Sequence, residues 1–191
     1  MHYIAIEVGI WLLLVVDNGS VYTKNLIDFL TKKIEFESIP YNKINLSSIN
    51  KYNSFILSGR QKNDQKINAL NSQIVKHAII KKKPLLGICY GAEILTLTLG
   101  GTIKKSNFPR NGTQKISITE KNPLCKEKID AFESHTYEIS RLADSLVSIA
   151  NSDSCKNEII RYGNSNIFGT QFHPEMTLDG KNLIEKFYNL K

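Results

Sequence analysis

Cys89 stands between two glycines, in the run Gly87, Ile88, Cys89, Tyr90, Gly91, at the end of an apolar stretch that begins at Pro84. A buried strand that stops at Gly-x-Cys-x-Gly and turns at once into a helix is a nucleophile elbow with sulfur in place of oxygen. The tight turn holds the thiol at the carboxyl edge of a sheet, where the glycines leave room that side chains would deny. The helix N-terminus is expected to lower the thiol pKa and to aim backbone N–H groups at an oxyanion. A cysteine nucleophile also needs a base, and the base an orienting group. His173 and Glu175 supply both within three residues, and Pro174 restricts the backbone between them. A lone cysteine is more often an inert buried residue, and a lone His-Pro-Glu is usually a surface loop. Glycines on both sides of Cys89 and a base with its carboxylate at the edge of the same sheet point instead to a Cys-His-Glu triad.

Such a triad needs a sheet that delivers both segments to one edge. Short apolar runs bounded by turn residues alternate with helical patterns through the first half, the mark of a parallel sheet with crossover helices. Strands are expected at residues 10–16, 35–39, 54–57 and 84–88, with helices at 21–33, 67–82 and 92–99. Asp17, Asn18, Gly19 and Ser20 make a turn and helix cap ahead of the first helix. After Gly100 and Gly101 the rhythm changes. Strands at 115–119, 146–150, 158–161 and 167–171 follow without long helices between them, so mixed or antiparallel sheet is expected there, closed by an amphipathic helix at 181–190. No repeat, low-complexity tract or linker divides the chain, and a single domain over 1–191 is expected, with 1–9 as an N-terminal extension.

Composition sets the frame. The chain has 191 residues, 41% of them hydrophobic and 23% charged, which suits a globular fold that needs neither disulfides nor metal. Three widely spaced cysteines, Cys89, Cys125 and Cys155, fit neither a secreted disulfide framework nor zinc pairs, so reduced thiols and a cytoplasmic location are expected. The four histidines are dispersed, and no metal site is expected. Net charge is +7. The basic run of Lys81, Lys82 and Lys83 at a helix end lacks the interleaved aromatics of a nucleic-acid platform, so a solvated surface and no nucleic-acid partner are expected. The apolar run 10–16 is too short to span a bilayer. No cationic segment or cleavage site marks a leader, and no membrane association is expected.

Through Gly87 to Gly91 and the run Gly169, Thr170, Gln171, Phe172, His173, Pro174, Glu175, the chain resembles the class I, triad-type glutamine amidotransferases. The resemblance covers essentially the whole sequence. It implies a flavodoxin-like α/β domain, mostly parallel with flanking helices and a small antiparallel extension, that hydrolyses glutamine through a γ-glutamyl thioester on Cys89. His173 would carry the proton and Glu175 hold the imidazole. The oxyanion hole would be formed by Tyr90 with Gly59 and Arg60, and the glutamine pocket would be bordered by Glu93, Ser134 and His135. Within the family, the opening from Val16 to Thr23 and the segment Glu133 to Glu138 are most similar to stand-alone amidotransferase subunits of GMP synthases. That implies ammonia delivery to a separate ATP-pyrophosphatase synthetase subunit, which would carry ATP and Mg, with no cofactor in this chain.

Two positions depart from the family pattern. Arg60 and Gln61 replace the Gly-Pro of a Ser-Gly-Gly-Pro segment, which would strain Arg60 if that position requires positive φ. Glu93 replaces a glutamine, placing a carboxylate near the substrate, where Arg60 could pair with it. These departures leave open a cysteine hydrolase that cleaves another γ-glutamyl amide without a partner. An amidotransferase for another acceptor, such as chorismate, and a non-catalytic regulatory module also remain open.

Overall fold

The computed structural model describes residues 11–190, so the expected extension at 1–9 and the first residue of the expected strand at 10–16 lie outside the described residues. The first half alternates as expected. Strand β1 (Leu13–Asp17) leads to α1 (Thr23–Leu30), β2 (Phe36–Pro40), β3 (Ser54–Leu57), α2 (Gln65–Ile80), β4 (Leu85–Ile88) and α3 (Tyr90–Thr98). The β1, β3 and β4 runs are apolar nearly throughout because both sheet faces are covered, as in parallel α/β sheets. Leu13 and Val15 pack with Leu26 and Leu30 of α1 on one face. Leu14 and Val16 pack with Ile74 and Val75 of α2 on the other. Full burial of one such side chain is worth about 1.5–3 kcal/mol.

Helix α1 is shorter than the expected 21–33. The turn before it is built by Asp17 Oδ1 accepting from Gly19 N–H and Ser20 Oγ from Tyr22 N–H, which delays the helix to Thr23. Lys32 at φ 68 stops it after Leu30.

The second half contains β5 (Thr102–Ile118), β6 (Ile129–Arg141), β7 (Leu146–Asn151), β8 (Ile159–Tyr162), β9 (Ile167–Thr170) and α4 (Leu178–Tyr188). Among the described residues the strands form one sheet in the order β2-β1-β3-β4-β9-β8-β7-β5-β6. The pairs from β2 to β9 are parallel and those from β9 through β8, β7 and β5 to β6 antiparallel.

The antiparallel part is larger than expected. Only the last residues of β5 were legible as a strand, and β6 not at all. Much of β5 is exposed ribbon with no apolar face, and its register slips between Lys105 and Arg110, a stretch that holds Pro109. In β6 the inward positions are Ile129, Ala131, Glu133 and His135, so the period of two is carried partly by polar residues and the apolar alternation is lost.

The crossing of β3, β4 and α3 fixes the elbow. A Cβ on Gly91 would lie 2.4 Å from the Leu57 carbonyl oxygen, and one on Gly87 2.4 Å from the Gly91 backbone. Gly91→Ala is therefore expected to cost about 1–3 kcal/mol, as overpacked cores do. Urea melts should show the midpoint falling with the slope unchanged.

Candidate active site

Cys89 follows the last residue of β4 and caps α3, at φ 50 and ψ −103. With its positive φ, this is a conformation that a side-chain-bearing residue adopts only when its surroundings enforce it. Its N–H donates to the Thr170 carbonyl at 2.7 Å, while its own carbonyl accepts from the N–H groups of Ala92 and Glu93 at 3.0 and 3.1 Å. Thr170 is the last residue of β9, paired with Ile88 of β4. The chain that leaves β9 therefore starts its loop beside the thiol.

Three residues on, His173 donates its backbone N–H to the Phe132 carbonyl at 2.8 Å. Its ring Nδ1 lies 2.9 Å from Glu175 Oε1, with both side chains buried. An Nδ1–H donated to that carboxylate leaves Nε2 as the basic nitrogen. Pro174 starts the 3-10 turn Pro174–Met176, which brings Glu175 under the ring. The ring is held on other sides by Tyr22, with centroids 4.5 Å apart, and by Gly59, where a Cβ would lie 2.9 Å from Cε1.

A cavity of about 270 Å³ opens at Cys89, lined among others by Arg60, Tyr90, Glu93, Ser134, His135 and Tyr137. The structure thus gathers the candidate residues of the sequence around one cavity or its buried base: Cys89, Tyr90, Arg60, Glu93, Ser134 and His135 in the wall, and Gly59 against His173. Glu175 completes the arrangement from behind. The Tyr90 backbone N–H reaches the sulfur and favours its anionic form.

The electrostatics differ from the sequence expectation. Burial pushes the Cys89 thiol well above its ordinary pKa, and the negative charges of Glu93, Glu175 and Glu133 add to it, outweighing the Tyr90 N–H. The helix N-terminus alone therefore does not make a thiolate here. Glu93 is itself buried, which raises its carboxyl, opposed by the charge of Arg60, a hydrogen bond with Gln171 and the charge of His135.

Arg60 also corrects two expectations. Among the described residues the side-chain-bearing positions with positive φ are Lys32, Lys82 and Cys89, so Arg60 carries no such strain. Its guanidinium is not bridged to Glu93. It lies 4.0 Å over the Tyr90 ring and donates to Asn63 at 2.8 Å and Asn68 at 2.7 Å. Asn68 also accepts from the Tyr90 hydroxyl at 2.9 Å. Arg60 and Glu93 line one cavity and act on each other through space.

Residues beyond the sequence reading complete the site. Tyr22 stacks on His173 and donates its hydroxyl to Ser134 Oγ at 3.1 Å, joining the turn after β1 to β6. Gln171 accepts from Ile139 N–H at 3.0 Å and donates to the Tyr137 carbonyl at 3.3 Å, joining the β9 loop to the same strand. Both residues stand inside the segments singled out in the sequence, but only the sheet order brings them to β6.

Comparison with known proteins agrees with this geometry. The glutamine amidotransferase class-I family model matches residues 14–190. The chain is 29% identical over 182 residues to a glutamine-hydrolysing GMP synthase subunit of Thermoplasma acidophilum, covering 92% of this chain and 90% of that one. The corresponding GMP synthase subunit of Thermoplasma volcanium is 31% identical over 180 residues, covering 91% and 88%. A crystal structure described as that of a GMP synthase subunit from Thermoplasma acidophilum superposes with a TM-score of 0.83 at 26% identity, covering 94% of this chain and 92% of that one.

The acidic surroundings of Cys89 can be tested without substrate. Glu93→Gln removes the largest source of repulsion after burial, so alkylation of Cys89 by iodoacetamide at pH 8 is expected to speed up several-fold. Cys125 and Cys155, whose thiols burial pushes to about 11 and about 12, serve as slow internal references.

Proposed function

We infer the reaction from one premise: this chain belongs to the glutamine amidotransferase class-I family. The reading is that of an enzyme that hydrolyses glutamine to glutamate and ammonia, and the observation that carries it is the Cys89 elbow hydrogen-bonded to Thr170, with the His173–Glu175 pair in the following loop. Because the resting thiol is held protonated, the first step is its deprotonation by His173 as sulfur attacks the γ-carboxamide carbon. Glu175 stabilises the imidazolium that forms. The developing oxyanion is received by the Tyr90 backbone N–H, with Gly59 and Arg60 supplying the opposite side. His173 then returns the proton to nitrogen, the C–N bond breaks, and ammonia leaves a γ-glutamyl thioester. Water, deprotonated by His173, attacks the thioester carbon, and glutamate departs as sulfur takes back the proton.

The polar ends of the cavity suit an amino acid. We assign the α-ammonium to the Glu93 carboxylate and the Ser134 hydroxyl, with His135 bordering the pocket beside them. Arg60, fixed by Asn63 and Asn68, supplies positive charge on the other side for the α-carboxylate. A glutamine at position 93 would hydrogen-bond the ammonium, whereas a glutamate adds a charge that opposes thiolate formation in the empty site and is neutralised when substrate enters.

For the ammonia acceptor, the relatives named above are subunits of glutamine-hydrolysing GMP synthases. We propose the same place for this chain: a separate ATP-pyrophosphatase synthetase subunit, with ATP and Mg, takes the ammonia to aminate XMP in the cytoplasm. Glutamine hydrolysis needs only side chains and backbone of this chain. The alternative, a γ-glutamyl amide hydrolase acting alone, is favoured by Glu93 and is separated by dependence on a partner.

Ammonia release from glutamine, measured with and without a GMP synthetase subunit plus ATP and XMP, is expected to rise when the subunit is present. No stimulation would count against the acceptor assignment, and full activity without it would favour the lone hydrolase. Cys89→Ala should abolish glutamine hydrolysis while XMP amination from added ammonium continues. Glu175→Gln should lower kcat by about 10²-fold or more, since the base loses its orienting charge.

A further inference from the structure

Behind the cavity wall, and reaching it through His135, lies a second cluster of titratable groups. Glu133 and His135 point inward from β6, and Glu158 enters from the residue before β8. All three are buried. His135 Nδ1 lies 2.8 Å from the Tyr137 carbonyl, which can only accept, so Nδ1 carries a proton. Its Nε2 lies 2.7 Å from Glu133 Oε2, too close for two lone pairs, so one proton lies between the ring and the carboxylate. The amide nitrogen of Gln114 donates to Glu133 Oε1 and Glu158 Oε1, each at 3.0 Å, and Ser152 Oγ donates to Glu158 Oε1 at 2.6 Å. Glu158 Oε2 is buried and receives no donor.

Charge balance decides where the remaining proton sits. Two carboxylates held by one amide nitrogen in a buried volume disfavour double ionisation. His135 neutralises Glu133, which faces it. Around Glu158 stand Arg110 and Gln114 of β5, Glu133 of β6, Ser152 and Cys155. Arg110 donates to the Ser154 carbonyl at 3.2 Å instead of pairing with Glu158. Burial and the charge of Glu133 raise the Glu158 carboxyl to about 9, while Glu133 stays below its ordinary value: burial opposes this, and the hydrogen bond and charge of His135 prevail.

We propose that Glu158 is a positioning residue for the cavity: as a neutral acid it donates Oε2–H to Glu133, which holds His135 and with it the wall from Ser134 to Tyr137. Its backbone reaches the site from the other side. The Glu158 carbonyl accepts from Gln171 N–H at 2.8 Å, two residues before His173, and its own N–H donates to the Ala150 carbonyl at 3.0 Å. One residue thus ties the loop of the base to the wall of the substrate cavity. The functional part of this inference rests on the cavity being the glutamine site.

The sign of the pH effect follows from the raised carboxyl. Between 4.5 and about 9 the folded chain keeps a Glu158 proton that the unfolded chain releases. Stability from this proton is complete below 4.5 and is lost as pH rises toward 9. Glu158→Gln keeps the donor toward Glu133 and cannot titrate. Thermal melts from pH 5 to pH 9 should therefore show the melting temperature of Glu158→Gln gaining on wild type by about 3 °C per pH unit. Parallel melts would overturn the proposal, because Glu158 would then be ionised in the folded protein.

The positioning role has its own readouts. Glu158→Ala should shift the amide NMR signals of Ser134 to Tyr137 and lower kcat/KM for glutamine about tenfold, mainly through KM, with Glu158→Gln restoring both. Above pH 8.5 wild type should lose kcat/KM more steeply than Glu158→Gln. The substrate ammonium titrates equally in both assays, so the difference belongs to Glu158. Unmoved amide signals in a folded Glu158→Ala protein would overturn the proposal. If wild type hydrolyses no glutamine, the functional reading fails while the melts and amide signals still decide whether Glu158 holds the wall.

Discussion

The structure depends on how closely the elbow backbone can be packed. Cys89 sits in a conformation that costs a residue with a side chain about 1–3 kcal/mol. It is kept there because α3 lies against the Leu57 carbonyl through Gly91, and Gly91 in turn against Gly87. The fully buried strand β4 and the buried first turns of α3 offset that cost. The Cys89 N–H bond to Thr170 makes β9 the neighbour of β4, so the loop carrying His173 and Glu175 has one place to go. Sheet order thus starts the loop of His173 and Glu175 beside Cys89.

Electrostatics pull against this geometry and show which effect wins. A helix N-terminus favours an anion by roughly 0.3–2 kcal/mol. Taking a charge out of water costs several kcal/mol after relaxation. Burial, joined by three carboxylates within electrostatic reach, therefore favours the thiol over the thiolate.

Much of this was legible in the sequence where apolar pattern and glycine placement report directly on packing. The alternation of strand and helix up to Leu99, the strand at 54–57, the elbow and the His-Pro-Glu loop all follow from short apolar runs and their punctuation. The thiol pKa was misjudged because the burial of Cys89, and the approach of Glu93, Glu175 and Glu133 to it, come only with folding. The contacts of Arg60 with Tyr90, Asn63 and Asn68 depend on rotamers that spacing does not encode. Strand β6 was missed for a different reason: its inward face contains Glu133 and His135, and a rule that seeks apolar residues at alternate positions passes over them.

That omission carries its own information. A sequence that places two polar residues at core positions of a strand breaks the local rule and must compensate elsewhere, and such breaks concentrate at functional sites. Here the compensation is physical and complete enough to name: Gln114 bridges both acids, Ser152 caps one, His135 neutralises the other, and the Tyr137 carbonyl takes the last imidazole proton. A leucine-rich β6 would give a more stable sheet by the usual measure of buried apolar area. It would also present an uncharged, mobile-rotamer wall to an amino acid that carries two charges. The polar core of β6 therefore trades stability for a fixed pattern of charge, and it does so beneath the segment Ser134 to Tyr137, which lines the cavity with Cys89.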